Sequence, residues 1–565
     1  MKRMKADIVI KSNAVFDSVA EKPFCGFVAV KGNKILDVGD QKDANEYIDA
    51  DTKVLEYGDK LVMAGFHDSH THLLMAGMFR TYVNLIDARS EEEAALMVKK
   101  AADAASAREP MVPFGGYEQP EHPPSSEKDV WVIGFSWYHV FWDNRTLPTK
   151  KSLDQYFPDR PVFLVNAEAH GAWVNSKALE IAGITNDTPS PFGGEIARGE
   201  TSEATGFLYE SAVGLVGKYA LVFTPEQEKV LIRSYQQGAA EYGITSVNDV
   251  QPYFHGNMGN LDVYSDMDKK GELTVRIHAA PDLLGDLDQV EDWREKYRSD
   301  KLRVEMLKQF LDGVSTTHTA LVLEEYTDAP GNFGISLNDT EAIRNAVPEA
   351  HRRGFSVKLH SCGDKSARMG LDYYENAIKM YGKNQCRHAI EHIEMLSDED
   401  LPRFGELGII PSVQPEHIAL TQIFDENPYP ITLGPERAGK TWPLKSLYDT
   451  AGVLAIGSDC PVVDNNPFLE IYRAVTRLHN DGKPEGGWNP TQKLTLYEVL
   501  RSYTYGSSYG VSREDELGTL TPGNFADIVV IDKNLFDVDP SEIKTSHVDM
   551  TMMDGKIIYE RKGNV

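Results

Sequence analysis

The amino-acid sequence predicts an α/β protein built on a (β/α)8 barrel, with a composite β-sandwich formed by both termini and an α/β insertion. Three observations lead to this prediction. Short apolar strands alternate with helical segments from residue 224 onward, which is typical of parallel strands joined by helices. Both ends of the chain are rich in short strands. A segment of different character, residues 75–222, follows the first strand of the alternating series.

Hairpin patterns mark the two ends of the chain. Near the N-terminus, two apolar strands flank a Gly32-Asn33 turn, and near the C-terminus a second hairpin turns at Asp554-Gly555. Neither end has enough apolar residues to be stable alone. We therefore expect residues 1–60 and 520–565 to form one composite β-sandwich.

Eight candidate strands form the predicted barrel, which covers residues 61–74 and 223–519. The first strand ends at His70, and the others are residues 245–248, 275–280, 304–308, 357–360, 389–392, 409–413 and 454–459. Helical patterns separate most of these strands, for example at 339–353 and 397–407. In a barrel of this kind, the functional residues lie at the C-terminal ends of the strands.

The insertion over residues 75–222 has mixed α/β character. An alanine-rich helix at 90–105 leads into a proline-rich surface loop at 109–128, and two buried strands follow. Several aromatic residues lie near these strands, and they include Trp137, Trp142 and Trp173. Such groups often form a core, and at strand ends they also suit the wall of a substrate pocket, so both interpretations stay open.

The composition argues against two classes of function. The 58 basic and 86 acidic residues give a formal net charge of −28, whereas binding to nucleic acid or anionic membranes needs positive surface. The N-terminus lacks the pattern of a signal peptide, and no apolar stretch is long enough to span a bilayer. The four cysteines have neither disulfide-framework nor zinc-knuckle spacing. We therefore expect a cytoplasmic protein with a small-molecule substrate and without nucleic-acid or membrane partners, and a homodimer stays open.

The segment from Gly65 to Leu73 contains a His-x-His pattern on a predicted strand. Side chains alternate across a strand, so His70 and His72 point to the same face and can reach one metal ion. This spacing alone is weak evidence. Further candidate ligands stand at the ends of later predicted strands, and they are Lys308, His360, His392 and Asp459. Four imidazoles and a carboxylate from separate strand ends match the donors that a divalent metal such as zinc prefers.

Seven segments of the chain carry a family resemblance. They are residues 65–73, 307–313, 358–360, 390–392, 412–415, 457–462 and 518–527. On these segments, which extend over essentially the whole chain, the protein resembles the metal-dependent amidohydrolase superfamily. More closely, it resembles the amidohydrolase-3, YtcJ-like branch, which includes N-substituted formamide deformylases. The motifs are specific for the superfamily and say little about the substrate.

The resemblance implies a TIM-like barrel beside a composite β-sandwich, and it implies roles for the strand-end residues. One or two divalent metal ions, Zn2+ above all, would be bound by His70, His72, His360, His392 and Asp459. The carboxylate of Asp459 would also act as the proton shuttle. Cys362, two residues after His360, either faces the metal or is a small buried thiol.

Lys308 occupies the place of a lysine that is carboxylated in several branches of the superfamily and bridges two metal ions. A carbamate supplies two oxygens, whereas a plain ammonium has no lone pair to give. Two alternatives stay open: Lys308 pairs only with Asp312, or Glu210 supplies the bridging carboxylate.

We interpret these residues as the site of a hydrolase for a C–N bond in an amide, formamide or cyclic amide. Asp459 would act as general base and then as general acid, with a metal-activated water as nucleophile. His170 and His318 are candidate donors to the oxyanion. Candidate substrate-binding residues are Trp137, Trp142, Trp173, Gln414, His417 and Arg437. The alternatives are an isomerase, decarboxylase or lyase on the same scaffold, and a non-catalytic regulatory protein.

Overall fold

The computed structural model describes residues 3–106, 131–167, 169–253, 256–257 and 259–562. The proline-rich loop predicted at 109–128 therefore lies outside the described residues. The chain divides into two compact units. The first comprises residues 1–71, 236–250 and 268–565, and the second comprises residues 72–235 and 251–267. Both units contain helices and strands, which confirms the predicted mixed α/β class.

One sheet of the first unit contains strands from both ends of the chain. They are β1 (Ile8–Phe16), β2 (Phe24–Lys31), β3 (Lys34–Asp40), β4 (Lys53–Glu56), β5 (Leu61–Ala64), β23 (Ile528–Ile531), β24 (Val548–Met553) and β25 (Lys556–Glu560). Their order is β25-β24-β23-β5-β1-β2-β3, and β4 pairs with β1. Strand β23 runs antiparallel to β5 and places Ile528 opposite Ala64. Side chains of this sheet form a buried apolar cluster that includes Val28, Val62, Val530 and Met550.

Only Gly65 separates β5 from β6 (Phe66–Thr71), the strand that carries His70. The Gly65 amide donates to the carbonyl of Asp527 at 3.0 Å. A Cβ atom at this position would lie 2.4 Å from the side chain of Thr245, so the close approach of the strands requires glycine. The sheet of the two chain ends therefore leads directly into the strand of His70.

Two parallel sheets of the first unit contain the alternating strands. Besides β6, these strands are β13 (Ile244–Val250), β16 (Arg276–Ala280), β17 (Leu302–Val304), β18 (Met306–Phe310), β19 (Ser356–Ser361), β20 (Ala389–His392), β21 (Ile410–Val413) and β22 (Ala455–Ile456). The two orders are β17-β16-β13-β6 and β18-β19-β20-β21-β22. Parallel bridges of Thr71 with Cys460 and of Asp282 with Lys308 lie outside the named strands and continue the pairing.

All eight strands predicted for the alternating series are present, and two of them differ from the prediction. The strand at 304–308 is interrupted at Glu305, which separates β17 from β18. The strand predicted at 454–459 is limited to Ala455–Ile456. Its predicted end does not continue the strand, since Asp459 has a φ of 61°, far from the β region.

Helices flank these strands in the first unit. They are α8 (Leu287–Lys296), α9 (Thr340–Arg352), α10 (Asp364–Tyr381), α11 (Leu401–Leu407), α12 (Tyr429–Thr432), α13 (Gly434–Ala438), α14 (Leu444–Ala451), α15 (Pro467–Thr476), α16 (Leu496–Arg501) and α17 (Ser507–Gly510). The side chain of Asp339 caps α9 by accepting from two backbone amides. The helix predicted from residue 397 begins only at Leu401, after a turn in which the Asp400 amide donates to Ser397.

The second unit contains a six-stranded sheet of order β11-β12-β10-β9-β8-β7. These strands are β7 (Val83–Asn84), β8 (Val132–Trp137), β9 (Val162–Asn166), β10 (Gly171–Val174), β11 (Gly194–Arg198) and β12 (Ala204–Glu210), and a short hairpin pairs β14 (Pro252–Tyr253) with β15 (Gly256–Asn257). Its helices are α1 (Leu73–Thr81), α2 (Glu91–Ser106), α3 (Lys150–Asp154), α4 (Ser176–Ile181) and α5 (Val213–Ala220), while α6 (Pro225–Glu241) and α7 (Leu261–Lys269) cross the division between the units. None of the helices in the described part of the chain has the length and apolar character needed to cross a membrane.

Candidate metal centre

Five candidate ligands of the first unit lie at or near the ends of parallel strands, although β18 continues beyond Lys308 to Phe310. They are His70 of β6, Lys308 of β18, His360 of β19, His392 of β20 and Asp459, which follows β22. All five side chains are buried. Neighbouring strands keep a fixed register, which pairs Ser361 with His392. Because the carboxyl ends of parallel strands meet at the same edge of a sheet, the fold brings these side chains together, as the sequence predicted.

Asp459 stands between three of the histidines. Its Oδ1 lies 3.4 Å from Nε2 of His70, and its Oδ2 lies 3.7 Å from Nε2 of His417 and 3.9 Å from Nδ1 of His392. The Asp459 amide donates to the carbonyl of His70 at 2.7 Å. The φ of 61° at Asp459 is rare for a residue with a side chain, and such backbone conformations occur preferentially at functional sites.

The imidazoles of His392 and His417 are buried without a full set of hydrogen bonds. One ligand atom each from His392, His417 and Asp459 lie within 4.8 Å of one another. Within the described residues, neither ring nitrogen of His392 has a hydrogen-bond partner. The same is true of Nε2 of His417. Burial lowers the pKa of both rings, so both are neutral and carry a lone pair. Buried nitrogens of this kind fit a metal ion as their partner.

His70 is oriented by a buried carboxylate. Its Nδ1 donates to Oε2 of Glu391 at 2.6 Å, which leaves Nε2 facing Asp459. Lys358 donates to the other oxygen of Glu391 at 2.7 Å and to the carbonyl of Ser69 at 3.0 Å. Although burial raises the pKa of Glu391, Lys358 and His70 hold it well below its ordinary value. A carboxylate on the remote nitrogen of a histidine is the arrangement that supports metal ligation.

Lys308 is fully buried beside His70. Its Nζ lies 3.3 Å from Nε2 of His70, and burial lowers the pKa of the ammonium to about 8. The carboxylate of Asp312, its predicted alternative partner, accepts from the amides of Cys362, Leu321 and Gly363 and from the hydroxyl of Ser366. Burial raises the pKa of Asp312 to about 7. Asp312 is therefore used to fix the loops around the end of β19.

His360 and Cys362 lie together at the end of β19. Nε2 of His360 is 3.2 Å from the carbonyl of Gly313 and 3.5 Å from Sγ of Cys362. The rings of His360 and His392 are 4.3 Å apart in an edge-to-face arrangement. Burial raises the pKa of the Cys362 thiol, so this cysteine is a protonated, buried thiol beside a candidate ligand.

Several predicted site residues belong to the second unit. His72 is its first residue, is buried, and directly follows β6. Nδ1 of His170 lies 2.7 Å from Oε2 of Glu210, the predicted alternative bridging carboxylate. The indoles of three residues form part of the buried core of this unit, with ring centroids between 5.6 and 6.3 Å apart; they are Trp137, Trp142 and Trp173. The functional roles assigned to these residues stay predictions.

The other predicted site residues of the first unit differ in how their polar groups are used. The carboxamide of Gln414 is buried, and neither of its polar atoms has a hydrogen-bond partner in the described part of the chain. The guanidinium of Arg437, in contrast, donates to three backbone carbonyls and to Thr327. His318 lies in the loop after β18, where its Nε2 is 2.8 Å from Asp328. Of these three side chains, that of Gln414 therefore has donor and acceptor atoms that could bind a ligand.

Sequence reasoning assigned no role to Asp68 or Glu391. Asp68 accepts from the amide and the hydroxyl of Ser458, at 2.9 and 2.6 Å, and so joins β6 to the residue before Asp459. Burial raises the pKa of Asp68 to about 6. The available signal was a carboxylate on a strand predicted to be buried, since a buried carboxylate requires polar partners.

Another group of potential ligands contains His351, Cys386 and His388. Here the hydrogen bonds are complete. Nδ1 of His388 accepts from the Val357 amide at 3.0 Å, so its Nε2 carries the proton and donates to Nδ1 of His351 at 2.9 Å. His351 in turn donates through Nε2 to the carbonyl of Gly382 at 2.9 Å. All four ring nitrogens are used, which makes this group a structural hydrogen-bond chain.

Comparisons with known proteins cover nearly the whole chain. Residues 54–559 match the profile of the Amidohydrolase family. The chain is 30% identical over 563 residues to protein LONG AFTER FAR-RED 3 of Arabidopsis thaliana, covering 98% of this chain and 92% of that protein. It is 27% identical to the putative amidohydrolase YtcJ of Bacillus subtilis, with coverages of 91% and 92%. It is 24% identical to the N-substituted formamide deformylase of Arthrobacter pascens, with 95% of each chain covered.

A solved structure has the same fold. It is the crystal structure of an uncharacterized metal-dependent hydrolase from Pyrococcus horikoshii, which superposes with a TM-score of 0.74 at 23% identity. The match covers 94% of this chain and 99% of that chain. The shared fold therefore extends over both units of the present chain.

Proposed function

The chain belongs to the amidohydrolase family, as its motifs predicted, and from this premise we propose that it is a metal-dependent hydrolase of a C–N bond in an amide, formamide or cyclic amide. The observation that carries the proposal is the group of buried, neutral imidazoles around Asp459, several of whose nitrogens have no partner in the described residues. Similarity to a formamide deformylase over 95% of each chain supports this bond type.

The proposed architecture explains how the candidate ligands meet. The two parallel sheets would be two arcs of one (β/α)8 barrel, formed by residues 61–74 and 223–519. Residues 1–60 and 520–565 would be the composite β-sandwich, and residues 75–222 the insertion that contributes to the substrate pocket. The bridges of Thr71 with Cys460 and of Asp282 with Lys308 support the closure of the barrel.

The donor set fits a divalent metal, most simply Zn2+. The residues proposed to hold one or two ions are His70, His72, His360, His392, Asp459 and, as a carbamate, Lys308. Neutral imidazoles and carboxylate or carbamate oxygens are donors that zinc accepts. The lowered pKa of Lys308 favours the carbamate, because only the neutral amine reacts with carbon dioxide. A bound ion would supply Lewis acidity, which polarises the substrate carbonyl and makes water more acidic.

The chain's own residues would move the proton and hold the substrate. Asp459 takes a proton from the attacking water and gives it to the leaving amine. Its position is fixed by the Asp459 amide, which donates to the carbonyl of His70. The unpartnered carboxamide of Gln414 is suited to hydrogen-bond the amide group of a substrate.

The test combines metal analysis with a substrate panel. The purified protein should contain a stoichiometric divalent metal and should hydrolyse at least one member of a panel of N-formyl amines, N-acyl amines and cyclic amides. The Asp459→Asn variant should keep the fold and lose about 10³-fold or more in kcat, because the general base and acid is removed. Metal-loaded Asp459→Asn protein with wild-type turnover would contradict the role of Asp459. Turnover of small keto acids or carboxylic acids in place of amides would contradict C–N hydrolysis.

A further inference from the structure

His417 lies beside Asp459, although it is not at a strand end. It belongs to a 3₁₀ turn, Pro415–Ala419, that follows β21. Its ring is parallel to that of His392 with centroids 6.0 Å apart, and it packs edge-to-face against Trp442 at 6.1 Å. The sequence suggested a contact with substrate. The geometry places its Nε2 close to potential ligand atoms of His392 and Asp459.

The tautomer of His417 is set by a backbone contact. The imidazole is hydrogen-bonded to the backbone of Ser458, while Nε2 has no partner in the described residues, so Nδ1 is the nitrogen that donates. Nε2 then carries the lone pair and lies 3.7 Å from Oδ2 of Asp459. A histidine that donates through one nitrogen to a backbone carbonyl and presents the other as a lone pair has the form found in metal ligands.

A buried clamp holds the turn that carries His417. Arg473 of α15 donates to both oxygens of Glu416, each at 3.0 Å, and the Glu416 amide donates to Oε2 of Glu470 at 2.8 Å. A third bond from Arg473 reaches Asn480 at 2.8 Å. Arg473 and Glu470 are completely buried. A buried ion pair contributes little net stability, because the cost of desolvation offsets the attraction. We therefore attribute the pair of Glu416 and Arg473 to the positioning of the turn.

We propose that His417 is an additional metal ligand, contributed from the loop after β21, and that Glu416, Arg473 and Glu470 form a clamp that positions it. The inference rests on the proposed metal-dependent hydrolase and deepens it. It adds a nitrogen donor on the side of His392 and Asp459. The clamp residues act through the backbone of the turn and are positioning residues.

The first experiment measures metal binding directly. The wild type, His417→Asn and His417→Gln are prepared without metal and titrated with Co2+, and affinity is obtained by competition with a chelator. Asn keeps the donor to Ser458 and removes the ligand nitrogen, whereas Gln keeps a polar group near Nε2. His479→Gln is the matched control, since His479 is a buried histidine that does not belong to any group of potential metal ligands in the described residues.

We expect His417→Asn to weaken Co2+ binding at least about 10-fold, because even residues that only orient a ligand contribute 10- to 100-fold. The visible spectrum of bound Co2+ should change in both His417 variants and stay unchanged in His479→Gln. Wild-type affinity and spectrum in the His417 variants would overturn the inference, and a raised KM alone would return His417 to substrate binding. Absence of metal binding by the wild type would instead overturn the proposed function.

The second experiment tests the clamp. Arg473→Met leaves the Glu416 carboxylate buried without its ion-pair partner. The double variant Glu416→Gln/Arg473→Met therefore removes both charges of the pair. Both should alter the Co2+ spectrum, while Glu470→Gln should keep it, since an amide oxygen still accepts from the Glu416 amide. An unchanged spectrum in the folded double variant would show that the clamp does not position His417.

Discussion

Two groups of buried histidines in the first unit contain similar side chains and differ in their hydrogen bonds. Around His388, every ring nitrogen has a partner in the protein. Around His392, ring nitrogens are buried without one among the described residues. Both groups offer three potential ligands at close distances. Proximity alone therefore does not identify a metal site, and the use of the nitrogen lone pairs separates a structural group from a ligand group.

The largest effect is expected from the removal of His392. We expect His392→Asn to lose about 10³-fold or more in activity, because several kcal/mol of transition-state stabilisation depend on a correctly held metal. The metal-free variant should unfold at nearly the temperature of the metal-free wild type, since no hydrogen bond of the protein is lost. Activity on a responsive amide, metal content and thermal unfolding with and without chelator measure these effects. Retained metal and activity would contradict the assignment.

Removing the carboxylate behind His70 should have a smaller effect. In Glu391→Gln, the amide can still accept from His70, but the charge that fixes the ring and balances Lys358 is lost. We expect metal affinity to fall about 10- to 100-fold, as for other residues that orient a ligand. Competition with a chelator measures the change, and Glu514→Gln, which alters a pair with Arg387 and none with His70, is the control. Equal affinities in Glu391→Gln and the wild type would exclude an orienting role.

His388→Gln should show the opposite behaviour to His392→Asn. The substitution disturbs the bonds to Val357 and His351, so the free energy of unfolding should fall by about 1–3 kcal/mol. Metal content and kcat should stay at wild-type values. Urea unfolding and metal analysis on the same preparations decide the matter, and loss of a metal ion from this variant would make the His388 group a second metal site.

The pH dependence of stability should also report on His388. Burial lowers its pKa from 6.5 to about 3 in the folded protein. Between these values the unfolded chain binds a proton that the folded chain does not bind, so stability falls as the pH drops below 6.5. The contribution of this group approaches about 1.4 kcal/mol per pH unit. Urea unfolding from pH 7.5 to 5.0 should show a shallower decline in His388→Gln, and parallel curves would contradict this titration.

The sequence was sufficient for the parts of the molecule that depend on local pattern. Apolar runs located all eight strands of the alternating series, and the strand-end rule brought together His70, Lys308, His360, His392 and Asp459. Long-range side-chain contacts were not predictable in this way. The bond of Asp68 to Ser458 and that of His70 to Glu391 join residues far apart in the chain, and their partners depend on strand register. His417 lies in a loop after a predicted strand, so the strand-end rule did not include it among the ligands, and the sequence predicted a contact with substrate.

The direct passage from β5 into β6 has a consequence for the biosynthesis of the protein. The strand of His70 is translated before two of its partners, because β5 pairs with β23 and Asp68 binds Ser458, and both partners follow hundreds of residues later in the chain. Until then, β5 lacks its pairing with β23, and Asp68 of β6 lacks Ser458. We therefore expect metal loading to follow chain completion, and nascent chains that stop before residue 528 to depend on chaperones to shield their apolar strands.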